Sequence, residues 1–211
     1  MKPTIVAMTG ASGSIYGIHL VKALISLGRP IVLVLSEAAR LVIREEQGVL
    51  LKSLVRLEDL TSIFGEEIYR HVQAYSCKDL LAPIASGSYP VEGMVIVPCS
   101  MGTLGSLANG VSQNLIHRAS DCVLKEGKKL VLVPRETPLH AIHLENMLKL
   151  ARLGARIVPA MPGFYSGVQS VEDMVNFMVG KILDQLEIDH AFLKRWTGSF
   201  QAPAASVLED L

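Results

Sequence analysis

The sequence predicts an α/β fold: a Rossmann-like, three-layer α/β/α arrangement around a parallel sheet. Three observations lead there. Short runs of nearly pure hydrocarbon at residues 4–8, 31–35, 94–97, 130–133 and 156–158 read as strands buried on both faces. Segments with helical spacing lie between them. Each run is followed by a turn rich in Gly, Ser, Thr, Pro or charge, which is where an open α/β sheet binds ligands.

The elements follow in order. After the first run, residues 15–27 have helical spacing and close at Gly28, a good helix stop. Residues 37–46 follow the second run as a helix. Residues 48–93 are less regular; they predict one or two helices, a short strand near residues 70–74 and a loop, ASGSYPVEG, from Ala85. Residues 104–125 predict one or two helices, and residues 139–153 another that ends at Gly154. The last helix, residues 171–186, starts after Ser170, a good N-cap. One domain over residues 1–196 and a tail over 197–211 fit this length.

Composition bounds the function. Half of the 211 residues are hydrophobic and 19% are charged, enough for a sizeable core and suggestive of surface buried in an oligomer. Twenty basic residues balance twenty acidic ones, so nothing in the charge predicts nucleic acid or an anionic membrane as partner. No apolar run approaches the ~20 residues of a membrane span, and the start of the chain does not read as a signal peptide. Cys77, Cys99 and Cys122 are widely spaced, which predicts reduced thiols in a cytoplasmic protein.

The chemistry should gather at the strand ends. In TGASGSIYG, Gly10 and Gly13 allow a tight turn and close approach to a ligand, Ser12 adds a hydroxyl, and the helix start near Ser14 offers free N–H groups to an anion. An ordinary strand-to-helix turn would look similar. Ser100, Gly102 and Thr103 form a second small polar loop, which simple N-capping also explains. Arg135 and Glu136 follow a buried strand between Pro134 and Pro138; the Arg suits a phosphate and the Glu suits proton transfer, with a surface ion pair as the alternative. Arg118 and Lys125, seven apart, share a helix face and can serve one phosphate or simply face solvent. His140 and His143 have a spacing that superficially suits a metal, but no third ligand is evident and no metal is expected. Tyr165 sits on a loop, Lys181 on the last helix, and Trp196 near the end of the chain, as a core or interface anchor by itself.

These stretches together resemble the flavin prenyltransferase (UbiX) family over about residues 4–196. The matching blocks are TGASGSIYG, ASGS at 85–88, PCSMGTL, NLIHRASDCVLKE at 114–126, LVLVPRETPLHAIHLENML and PGFYSGVQSVEDMVNFMVGKILD. The resemblance implies reduced FMN as a substrate-like cofactor, dimethylallyl monophosphate as donor, and no metal. It implies prenylated FMN as product, passed to UbiD-type decarboxylases, and a homododecamer. It implies that Gly10, Ala11, Ser12, Ser36, Ser100, Met101, Gly102, Thr103 and Arg135 hold the flavin, with Ser86 and Gly87 near its reactive edge. Ser12, Arg118, Lys125, Tyr165 and Lys181 would surround the donor phosphate. Glu46 matches an acid near the same pocket, Glu136 a carboxylate that manages protons, and Trp196 a tryptophan that closes the pocket. Leu80 and Lys181 stand where some members carry Trp and Arg, which affects donor fit more than reaction class.

Two other enzyme classes fit less well. Flavin-dependent cysteine decarboxylases carry an Asn-Met motif where this chain has PAMPGFY, and a short-chain dehydrogenase needs a YxxxK that is absent. A flavin carrier remains the non-catalytic alternative, although it has no use for a second phosphate site.

Overall fold

The computed structural model describes residues 1–52, 56–165, 167–193 and 195. Trp196 and the 197–211 tail therefore lie outside the described residues. The chain alternates strands and helices. β1 (Thr4–Met8) leads to α1 (Ser14–Ser26), β2 (Ile31–Leu35) to α2 (Glu37–Gln47), then α3 (Leu57–Phe64) and α4 (Ile68–His71) precede β3 (Val72–Ser76). A short 3-10 turn (Pro83–Ala85) precedes β4 (Gly93–Cys99), followed by α5 (Met101–Ala108) and α6 (Leu115–Lys125). β5 (Lys129–Pro134), α7 (Ala141–Arg152), β6 (Arg156–Ile157) and α8 (Val171–Leu186) complete the order.

All six strands form one parallel sheet in the order β3-β2-β1-β4-β5-β6. Alternation along β1 divides the interior into two cores. Val6 and Met8 point to one, which α1, α3 and α8 cover with Leu20, Leu24, Leu60, Val179 and Leu183. Ile5 and Ala7 point to the other, which α5, α6 and α7 cover with Leu104, Ile116, Val123 and Leu150. This is the predicted three-layer architecture. The order reverses between β1 and β4, so the crevice at their carboxyl ends is the topological switch point.

Some boundaries differ from the sequence reading. The 104–125 segment, read as one or two helices, is two, because Gly110 takes φ 66° in a left-handed turn just after α5. The strand expected near 70–74 begins at Val72, since residues 68–71 coil into α4. α5 starts three residues before the expected 104, with Ser100 as its N-cap.

α1 crosses close to the end of β4 at Gly17. A Cβ there would collide with the Val97 carbonyl oxygen, a backbone atom of a strand that cannot retreat, and stand 2.7 Å from Met8 Cε. Gly17→Ala is expected to destabilise the fold by about 1–3 kcal/mol, read as a lower midpoint in denaturant unfolding with the slope unchanged.

Candidate flavin and donor-phosphate site

The first and second loops are joined at one residue. Thr9, buried directly after β1, donates from both its backbone N (3.1 Å) and its Oγ1 (2.9 Å) to the Pro98 carbonyl at the end of β4. Its Oγ1 then accepts from Ser100 N at 2.7 Å. The hydroxyl thus spends its donor and an acceptor lone pair on the same neighbouring strand end, fixing the Gly10–Ser14 turn against the Ser100 turn. Sequence reading missed Thr9. The available signal was a β-branched hydroxyl between a hydrocarbon run and a glycine, a position with no room for water.

Ser100 Oγ caps α5 by accepting from Thr103 N, and it donates to Thr103 Oγ1 at 3.1 Å. Capping leaves the N–H groups of Met101 and Gly102 in the first turn, which no intrahelical carbonyl can reach. The space above Gly102 is open. Ser36 performs the same capping for α2, accepting from Ala39 N at 3.0 Å, while its own N–H donates to Met8 O. Beneath the second loop, Cys99 is fully buried, and burial pushes its thiol up to about 12.

The cradle expected at α1 is already filled. Gly13 N and Ser14 N, expected to be free for an anion, donate to the Glu46 carboxylate at 2.9 and 2.8 Å, and Ser14 Oγ donates at 2.7 Å. Gly13 reaches this geometry with φ 101°. Glu46 comes from the last turn of α2, so a side chain supplies the anion that the positive end of α1 favours. Burial alone would raise the Glu46 carboxyl, but hydrogen bonds from Ser14, Ser12 and the backbone of Gly13 and Ser14 together hold it below the usual range.

Arg135 closes the first loop from β5. Its Nε donates to Ser12 O at 3.0 Å, and its stem lies beside Gly13. Burial pushes the Tyr16 phenol up, with the Arg135 charge acting in the opposite direction. Glu136 is half-buried on the next residue, its Oε1 accepting from Thr137 N at 3.2 Å. The structure therefore brings Gly10, Ala11, Ser12, Ser36, Ser100 to Thr103 and Arg135 to neighbouring strand ends at the switch point.

A second cationic cluster surrounds residues 85–87. Arg118 Nε donates to Ala85 O at 3.0 Å and its Nη1 to Asp121 at 2.8 Å. Cys122 Sγ also reaches Ala85 O, and Lys128 Nζ donates to Gly87 O and Tyr89 O at 3.2 and 3.1 Å. Lys125 lies 2.8 Å from Glu126. Ser86 Oγ and Ser88 Oγ share a hydrogen bond at 2.9 Å. Tyr165 and Lys181 are elsewhere: Tyr165 meets Phe177 edge-on with centroids 5.7 Å apart, and Lys181 Nζ stands 5.8 Å from the Phe177 centroid. They belong with α8, on the opposite layer of the sheet from α6, so one chain does not unite the four residues assigned to the donor phosphate. The His140 and His143 rings stack with centroids 3.5 Å apart.

Comparison with known proteins shows the family. The flavoprotein family model matches residues 1–183. A flavin prenyltransferase UbiX of Alkalihalophilus pseudofirmus is 50% identical over 191 residues, 90% of this chain and 94% of that one. The chain belongs to the flavin prenyltransferase UbiX family of flavoproteins. Among solved structures, AnUbiX (PadA1) in complex with FMN and dimethylallyl pyrophosphate superposes with a TM-score of 0.83 at 38% identity, covering 94% of this chain and 99% of that one. A dodecameric FMN-dependent UbiX-like decarboxylase from Escherichia coli O157:H7 gives 0.83 at 40% identity, covering 93% and 100%. The peptidyl-cysteine decarboxylase EpiD, at 14% identity, shares the fold alone.

Glu46 gives a pH prediction. A carboxyl held below its ordinary value stabilises the fold at all pH above that value, about 4.3, and the contribution is lost as pH falls through the depressed one. Glu46→Gln is expected to lower the unfolding midpoint at pH 7. It should also make the decline on acidification below about pH 4.3 shallower than in the wild-type chain, as followed by thermal melts across pH.

Proposed function

We propose that this chain joins a dimethylallyl group from dimethylallyl monophosphate to N5 and C6 of reduced FMN, and that the prenylated FMN is delivered to a UbiD-type decarboxylase. Family membership supports the reaction class. The observation that carries the reading further is the second cationic cluster, Arg118 and Lys125 around residues 85–87, in addition to the switch-point loops. A flavin carrier needs one phosphate site and has no use for two.

The residues present suit FMN. The open space over Gly102, the first-turn N–H groups of α5 and the Arg135 guanidinium form a donor-rich floor. Gly10, Ala11, Ser12, Ser36, Ser100, Met101, Gly102, Thr103 and Arg135 would hold it, with Ser86 and Gly87 beside its reactive edge. When bound, reduced FMN supplies the electron-rich atoms that accept the dimethylallyl group. Because Glu46 already occupies the start of α1, the flavin phosphate takes its donors from the other loops, and Glu46 acts by fixing Ser12 and Ser14. Arg118, Lys125, Tyr165 and Lys181 stabilise the charge that develops on the departing donor phosphate. Glu136, or the released phosphate relayed through Ser12, takes the proton lost at ring closure. Trp196, outside the described residues, is assigned the closing aromatic wall that can stabilise an allylic cation.

The separation of Tyr165 and Lys181 from Arg118 and Lys125 supports a donor site completed between copies of the chain. Ile142, Leu144, Leu148 and Leu153 are more than half exposed along α7 and the turn after it, which also supports assembly. A homododecamer, as described for the Escherichia coli protein, is the form we assign. No described helix is long and apolar enough to cross a membrane, and a cytoplasmic location is part of the same reading, in keeping with the three free cysteines.

Anaerobic incubation with reduced FMN and dimethylallyl monophosphate, followed by mass spectrometry of the extracted flavin, is expected to show a gain of one C5 unit; unmodified FMN from flavin-loaded protein would overturn the reaction. Glu136→Gln is expected to slow ring closure by about 10²-fold or more, with the singly attached adduct accumulating in stopped-flow spectra. Ring closure at the wild-type rate would remove Glu136 from the proton role.

A further inference from the structure

The two α6 cations assigned to the donor phosphate are each held by an acid. Arg118 Nη1 is 2.8 Å from Asp121 Oδ2, the ordinary i,i+3 pairing of a helix. The Lys125–Glu126 pair is different. Residues i and i+1 do not face each other on a helix, yet Lys125 Nζ is 2.8 Å from Glu126 Oε1. Long neighbouring side chains can bend to meet, as Arg44 and Glu45 do within α2, and here the pair closes at the C-cap of α6. Both side chains reach the same spot over Gly87: a Cβ there would collide with Glu126 Oε1 and stand 2.9 Å from Lys125 Nζ. The hydrogen bond and charge of Glu126 hold the Lys125 ammonium above its usual range, as expected of a lysine kept fully charged but already partnered.

We propose that Glu126 is a specificity-determining counter-ion, holding Lys125 over Gly87 and limiting how much negative charge the donor phosphate can carry. The proposal rests on the reading of Lys125 as a donor-phosphate contact. An incoming phosphate must share or displace the carboxylate at Lys125, and it lies within a few ångströms of that fixed negative charge while it does so. Repulsion grows with the charge on the ligand. A diphosphate ester carries more negative charge than a monophosphate ester, so Glu126 penalises it more. Asp121 acts in the same sense on Arg118, but its pairing is one that the helix forms regardless of ligand. Glu126 is the acid that stands over Gly87 together with the cation it holds. Side chains about half exposed (49% for Lys125 and 41% for Glu126) leave the pair open to a ligand.

The test uses Glu126→Gln in the full chain, loaded with FMN. Isothermal titration gives the affinities for inorganic phosphate and pyrophosphate, and anaerobic kinetics give KM and kcat for dimethylallyl monophosphate and diphosphate. Loss of the counter-charge is expected to tighten phosphate and lower the monophosphate KM by roughly 2–5-fold, the scale of an exposed ion pair. Pyrophosphate and the diphosphate donor should gain more, and the difference should shrink with added salt. Glu126→Asp, which keeps the charge, should stay near the wild-type ratio, and Glu126→Ser provides a second neutral variant if Gln perturbs the helix end. An equal change for both donors, or weaker binding of both, would overturn the counter-ion role. Lys125→Met separates the two readings. If it weakens phosphate while Glu126→Gln leaves the donor ratio unchanged, only the counter-ion role falls. If it leaves phosphate affinity unchanged, the assignment of Lys125 falls and this proposal with it.

Discussion

The site depends on the Thr9 hydroxyl. Two parallel strands whose order reverses leave a gap at their carboxyl ends, and both loops that emerge there carry small, flexible residues. Without a cross-link those loops would be free to move independently. Thr9 ties them with one side chain that both donates to Pro98 O and accepts from Ser100 N, in a position 2% exposed. A buried hydroxyl with both functions satisfied is strongly directional, because any displacement leaves a polar group unpaired away from water. Arg135 then adds a third loop by reaching Ser12 O. Three strand ends are thus held at fixed spacing by side chains of the protein itself.

Most of the architecture was legible in the sequence because it arises from hydrocarbon. The strands are buried on both faces, so β1, β2, β4 and β5 appear as uninterrupted apolar runs, and Gly28, Ser170 and Gly154 marked helix ends by simple capping and turn chemistry. The edge strand β3 was harder to place. Its VQAYS is half exposed, and the preceding IYRH can coil or extend. The positions of the candidate flavin loops were as legible as the strands, since each loop begins where a strand ends. What Glu46 does was not legible. Its target, the start of α1, is more than thirty residues away, and no local pattern records that two helix ends meet. Its effect is to turn an apparent anion site into an occupied one. The pairing of Lys125 with its own neighbour was hidden likewise, because helical spacing does not turn adjacent side chains toward each other and only the rotamers bring them together.

The two cation groups illustrate how layering constrains chemistry. α6 and α8 cover opposite faces of the sheet, and residues on them cannot meet through it. A reaction that needs both groups around one phosphate gains a reason for assembly that is separate from burying surface: the quaternary arrangement becomes part of the active site.

Cys99 ends β4 directly before the Ser100 turn, and burial pushes its thiol up to about 12. Reduced flavins react with dioxygen to give peroxide, and the form of cysteine that peroxide attacks is the thiolate. At neutral pH almost none is present at this position, and burial pushes the Cys77 thiol up as well. Burial thus keeps Cys99 and Cys77 in the thiol form, the one that peroxide attacks least readily.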